Sequence, residues 1–300
     1  MSTAIRPTDA SVGIRDRVRA HPLVAFFSLA GALSWIAWIP YVLSADGLGV
    51  LDFRFPALLG STQLTGVLPG AYLGPIGSAL LITWLVDGRA GLRAWAGRLL
   101  RWRVSARWYA ISLLAAPLGM LLVGIAFSGG LPHAPSAAAL IAYLPVLALQ
   151  FVTTGLAEEP GWRDFALVRL QRAMSPLRAA LVLGPIWGLW HMPLFLTEWG
   201  GWPNAHWSRP IVFMVFCMAF NIVMSWVFNR ANASLPLSML MHVSVNTFAS
   251  VLWSEMFPTL DDDLSLPAMA TGAVVAAVVI LVATRGRLGL PAHPPLGSRE

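Results

Sequence analysis

Lysine is absent from this chain of 300 residues; all twenty basic side chains are arginine. Charge of either sign is scarce. Asp, Glu, Lys and Arg make up 11% of residues, against about 25% in soluble domains, which leaves too little polar surface to cover a water-soluble globule. A secreted, nuclear or cytosolic domain is excluded. The single cysteine, Cys217, lies in an apolar run, so no intrachain disulfide can form and no thiolate cluster can hold a metal. Any metal would have to use His, Glu, Asp or Asn. What is abundant is apolar: 57% of residues are hydrophobic and the mean hydropathy is +0.69. Lipid is therefore the expected solvent, and an integral membrane protein the expected class. The net charge of +6 comes from arginines beside apolar segments, where it sets topology. No nucleic-acid partner is expected.

A bilayer core of about 30 Å needs about 20 apolar residues at 1.5 Å each. Eight stretches qualify, at 23–43, 67–86, 108–127, 138–157, 178–197, 210–228, 235–256 and 266–284. The expected fold is all-α: a polytopic helical bundle forming one membrane domain over 1–300, with mobile tails at 1–20 and 286–300. Threading the spans alternately puts eighteen arginines on one side and only Arg54 and Arg209 on the other, the latter with Asp261, Asp262 and Asp263. By the positive-inside rule both termini are expected in the cytoplasm, and the all-arginine bias suggests a bacterial plasma membrane. The first span follows an arginine-bearing arm like a signal sequence, but its 21 apolar residues are too many for an h-region, and it is expected to be a retained helix. Trp108, Trp199 and Trp253 lie near span ends, as an interfacial aromatic belt would.

Ionisable groups inside a membrane are candidates for function. Gln150, Thr154 and Glu158 recur at four-residue spacing on one helical face. Glu159 stands four residues before Arg163, in the order that favours an i,i+4 ion pair if Pro160 does not break the helix. The bland alternative makes both glutamates solvated juxtamembrane charges. In the fifth span Gly184, Gly188 and His191 share a face, and the glycine pair invites a close helix neighbour. His191 would then point into the bundle, as a ligand or as a helix-to-helix hydrogen-bonding group. The seventh span opens with Ser234 as an expected N-cap and Pro236 in the first turn. Ser238, His242 and Asn246 then follow four apart. A weaker stripe, Asn221, Ser225 and Asn229, is assigned to packing.

A carboxylate, two imidazoles and a carboxamide on three helices suit the activation of water. In one version a divalent metal, most plausibly zinc, sits on Glu158, His191 and His242 with a water as fourth ligand. In the other there is no metal: Glu158 takes a proton from water, His191 orients it, and His242 with Asn246 stabilises an oxyanion. The residues leave both open. Measured from the arginine-bearing face, His191 lies about 20 Å deep and His242 about 10 Å, with Glu158 near the surface. For the groups to meet, the fourth helix must start later than 138 and carry Glu158 inward, with Phe165 to Leu170 embedded.

The chain has no His-Glu-x-x-His helix, no Gly-x-Gly-Asp signature and no Gly-x-Ser-x-Gly elbow. Glu158-Glu159-Pro160-Gly161-Trp162-Arg163, Trp187-Gly188-Leu189-Trp190-His191 and His242-Val243-Ser244-Val245-Asn246 resemble the three ordered motifs EExxxR, FxxxH and HxxxN of the CPBP intramembrane metalloprotease family, also called the CAAX protease or Abi family. They span about residues 150–250. The resemblance implies a membrane endopeptidase acting on a peptide or protein substrate, with Glu158, His191, His242 and Asn246 catalytic and Glu159 and Arg163 completing the first motif. Two positions depart from the family pattern. Trp187 replaces the usual Phe, for which a modest packing effect is expected, and Asp164 stands where glycine is common. The rival expectations are a transporter lined by the same polar faces and a non-catalytic membrane scaffold. Oligomeric state is not legible.

Overall fold

A computed structural model describes residues 13–290, and among these there is no β-strand. Hydrocarbon offers no partner to a backbone N–H, so a chain this apolar must satisfy its backbone within helices. Among the described residues eight helices are long and apolar enough to cross a membrane: α1 (Pro22–Leu43), α2 (Leu68–Leu99), α3 (Ala106–Ser128), α4 (Ala137–Ala173), α5 (Pro176–Leu196), α6 (Arg209–Arg230), α7 (Leu235–Met256) and α8 (Asp263–Thr284). The protein is an all-α, polytopic integral membrane protein. Six of the eight agree with the expected spans to within three residues at each end; the exceptions are α2 and α4.

Helix α2 runs on past its apolar stretch as an arginine-bearing arm. Gly88 breaks the helical path at φ 62°, ψ −152°, a conformation glycine adopts without steric cost. The arm then packs on the second half of α4, where Arg98 forks onto Asp164 and Arg169 meets Asp87 at 2.5 Å. Asp164, the residue in a glycine's usual place, therefore fastens the arm.

Helix α4 is 37 residues long. It does not start later than expected. It starts at Ala137 and instead continues sixteen residues beyond the predicted end, because Glu158, Glu159, Arg163 and Asp164, which end the hydropathy run, are buried rather than solvated. From Ala157 to Leu167 every residue is buried, so the expected embedding of Phe165 is met. Wider π-helical turns occur at Phe151–Gly155 and Pro160–Leu167, and again at Tyr72–Gly77 in α2 and Phe248–Leu252 in α7. Such bulges gather where function departs from regular packing. Here Tyr72 donates to the Val152 carbonyl at 2.6 Å.

Connecting segments cluster at the two ends of the bundle. At one end Glu198 N–H donates to the Asp46 carbonyl (2.8 Å) and His133 N–H to the Met256 carbonyl (2.9 Å). At the arginine-rich end Ser234 Oγ donates to the Arg101 carbonyl (2.7 Å) and Asn229 to the Leu288 carbonyl (2.9 Å). Ser234 precedes α7 as expected, but its hydroxyl makes no cap, being engaged by the neighbouring loop.

Two further expectations need revision. Trp108 and Trp253 are buried rather than in an interfacial belt: Trp108 packs edge-on against Trp226, and Trp253 donates to Ser265 at 2.8 Å. The expected tails fall partly outside the described residues, at 1–12 and 291–300. Within the described part, Ile14–Ala20 forms a short helix and Leu288 is fully buried.

Candidate active site

Close packing of α5 on α6 fixes one wall of the site. A Cβ on Gly184 would lie 2.9 Å from the backbone Cα of Met218, so only glycine permits this approach there, and one on Gly188 would push the Met214 thioether, 2.5 Å away, aside. This approach brings Trp187 and His191 of α5 against Phe220 and Phe213 of α6, and Trp187 also reaches Glu158 of α4 and His242 of α7. The buried half of α4 contributes Glu158, Glu159 and Arg163, and α7 contributes His242 and Asn246.

Trp187 joins the parts. Its indole N–H donates to Glu158 Oε2 at 2.8 Å, its ring meets that of His242 edge-on with centroids 5.4 Å apart, and the Arg163 guanidinium lies 5.5 Å from its face. A phenylalanine could do the last two but not the first. The expected modest packing effect is therefore incomplete, since the tryptophan adds a hydrogen bond to a buried carboxylate.

Glu159 is fully buried between two cationic or cation-forming groups. His242 Nδ1 donates to its Oε1 at 2.8 Å, and Arg163 Nε stands 3.1 Å from its Oε2, poorly aligned for a hydrogen bond and so chiefly a Coulombic contact. Pro160 does not interrupt this i,i+4 pair. Arg163 also donates to Asn221 Oδ1 and approaches Met224 Sδ at 3.3 Å, while Asn221 donates to the Ala180 carbonyl at 2.7 Å. Burying an ion pair is costly unless its remaining donors and acceptors are satisfied, and Asn221 supplies that satisfaction. Sequence reasoning gave Asn221 only a packing role; its signal was a polar residue on the face α6 turns inward.

His191 ends the regular part of α5. Its Nδ1 lies 2.9 Å from the Trp187 carbonyl, and a carbonyl can only accept, so Nδ1 carries the proton. The neutral ring then offers the Nε2 lone pair. Trp199 stacks on the imidazole at 5.7 Å and 15°, and Trp190 and Phe213 meet it edge-on. Trp199, expected in the interfacial belt, is a wall of this box. Glu158, His191 and His242 are 5, 6 and 5% exposed, so the glutamates are not solvated juxtamembrane charges. Asn246 is half-buried one turn beyond His242, and among the described residues nothing ties down its carboxamide.

The proposed metal ligands do not fit an ion as they stand. Among the described residues no three His, Cys, Asp or Glu side chains are grouped closely enough to hold one.

Residues 139–248 match the family described as Type II CAAX prenyl endopeptidase Rce1-like, a window that contains every member of the cluster from Glu158 to Asn246. The match covers 110 of the 300 residues, and over them the chain is similar to that family. The Rce1-like region is also similar to CAAX prenyl protease 2 of Methanococcus maripaludis, 25% identical over 173 residues that cover 56% of this chain and 59% of that protein. The chain thus spans under two thirds of the relative's length, and the Rce1-like match covers α4 to α7 but not the outer helices.

Proposed function

We propose that the protein is an intramembrane endopeptidase that hydrolyses a peptide bond near its arginine-rich, cytoplasmic end, without a metal. The observation that carries this is the convergence of Glu158, His191 and His242 on Trp187 in one buried cluster. Glu158 Oε1, unlike the Oε2 held by Trp187, is left to take a proton from water. His191 Nε2 accepts the water's other hydrogen and orients it. The water oxygen bonds to the scissile carbonyl carbon, and the carbonyl electron pair becomes an oxyanion facing His242 and the Asn246 carboxamide. The C–N bond then breaks, the proton on Glu158 passes to the leaving nitrogen, and a carboxylic acid and an amine are released, the acid's remaining proton passing to the amine to leave a carboxylate and an ammonium.

Glu159 and Arg163 position His242. With Nδ1–H committed to Glu159, His242 can donate Nε2–H to the oxyanion only when its ring carries both protons. The substrate class is a peptide or protein. The relative's name points to a prenylated C-terminal segment, whereas a bacterial plasma membrane, which the arginine distribution and composition favour, leaves other membrane-associated peptides as substrates.

Cleavage of a peptide library by the purified protein tests this. Glu158→Gln should reduce turnover by about 10²- to 10⁴-fold, and Asn246→Ala by about 10²-fold or more, with folding retained. Chelation should leave turnover unchanged; its loss together with a bound ion would restore the metal set Glu158, His191 and His242. Cleavage persisting in both Glu158→Ala and His242→Ala would reject the assigned site. Solute flux without peptide products would indicate a transporter.

A further inference from the structure

One seam between α3, α6 and α8 carries two features that the proposed reaction does not use. At the arginine-rich end it opens into a pocket of ≈ 470 Å³ lined by Arg107, Arg230 and Arg287, with Trp108, Trp226 and Ile111 below them. Among the described residues no carboxylate lines this pocket and none of the three arginines is ion-paired. Arg107 lies 5.5 Å from the face of Trp108, and the stem of Arg230 lies across Gly289, where a Cβ would come within 2.5 Å of it.

Further along the same helices the seam holds a cavity of ≈ 90 Å³. Ala115, Ala116 and Gly119 of α3 line it, with Gly272 and Ala273 of α8 opposite and Phe220 of α6 behind. A Cβ on Gly119 would meet nothing within 4 Å. The spacing from Trp108 to Gly119 is about 17 Å along the helix axis. Three unpaired cations at headgroup level, above an apolar slot floored by small residues, match a molecule with an anionic head and a long hydrocarbon chain.

We propose that this seam binds an anionic phospholipid of the leaflet at the arginine-rich end, its phosphate held by Arg107, Arg230 and Arg287 and one acyl chain lying against Ala115, Gly119 and Ala273. The inner wall of the slot is Phe220, whose ring is 6.4 Å from those of both Trp187 and His242, so the chain would lie one side chain away from the cluster. The binding site stands whether or not the protein is a peptidase.

The test uses the full chain in a neutral detergent, with binding of phosphatidylglycerol, phosphatidylcholine of the same chains, and inorganic phosphate measured by native mass spectrometry and by thermal shift. Phosphatidylglycerol should bind more tightly than phosphatidylcholine. The triple change Arg107→Gln, Arg230→Gln and Arg287→Gln should weaken it about a hundredfold, and Arg287→Gln alone about fivefold. Arg54→Gln, at the other end, should leave the affinity unchanged. Gly119→Leu should weaken the lipid by filling the slot while leaving phosphate binding as it was. Helical content and lipid-free melting point of each variant report folding, and if the triple variant does not fold, the single Arg287→Gln decides. Equal affinity for the two lipids, or phosphatidylglycerol binding unchanged by loss of the arginines, overturns the proposal. Phosphate binding as tight as that of the lipid would make it a free-anion site.

Discussion

The two halves of α4 invert the rule familiar from soluble proteins. Its first fourteen residues, Ala137–Gln150, are nearly all apolar, yet only Ala139 is buried, and Ile141 and Leu144 are 76 and 70% exposed. Its second half carries Glu158, Glu159, Arg163 and Asp164, and there the chain is buried without a gap from Ala157 to Leu167. The greasiest part of the helix faces lipid, because in hydrocarbon an apolar side chain loses nothing by exposure. Charged groups are tolerable only where protein supplies their partners. In α4 the polar interior is thus the structured part and the apolar exterior the permissive one.

That contrast sets the scale of four substitutions. Arg163→Met leaves Glu159 buried with only His242 beside it and should lower stability by about 3–5 kcal/mol, measured as unfolding in detergent; a loss below 1 kcal/mol would mean the pair is not enclosed as described. Asn221→Ala strands a donor of Arg163 and the Ala180 carbonyl and should cost about 1–3 kcal/mol. Trp187→Phe keeps the ring stacked near Arg163 but removes the N–H from Glu158, so kcat/KM should fall about tenfold with little change in melting point. Combined with Glu158→Gln it should add nothing further, because the two changes act on one carboxylate. Leu144→Ala, on the lipid face, should stay within about 0.5 kcal/mol; a cost like that of Asn221→Ala would erase the difference between the halves.

The same contrast explains what could be read without coordinates. Span positions were legible because the hydropathy of lipid-facing helices is written residue by residue, and α1, α3 and α5 to α8 fall within three residues of expectation. The buried half of α4 was not, since Glu158 and Glu159 end a hydropathy run identically whether they meet water or Arg163 and His242. The small-residue spacing of Gly184 and Gly188 announced a close helix neighbour in advance, though not that it is α6. Partners on other helices left no such trace: Asn221 against Arg163, Trp199 against His191 and the Trp187 indole against Glu158 depend on side-chain direction across elements, which spacing within one element does not encode. The cap assigned to Ser234 failed for the same reason, a loop oxygen from Arg101 having claimed the hydroxyl.

The length of the lipid-facing half of α4 bears on how water arrives. From Ala137 to Gly155 the helix covers about 28 Å, close to the full thickness of a bilayer's hydrocarbon, about 30 Å. Glu158 follows directly, but it meets Trp187 and its neighbour Glu159 meets His242, side chains that stand about 17 and 10 Å from the arginine-rich starts of α5 and α7. Water for a reaction at that depth would have to descend from the arginine-rich end along the buried half of α4, over about a third to a half of the hydrocarbon thickness.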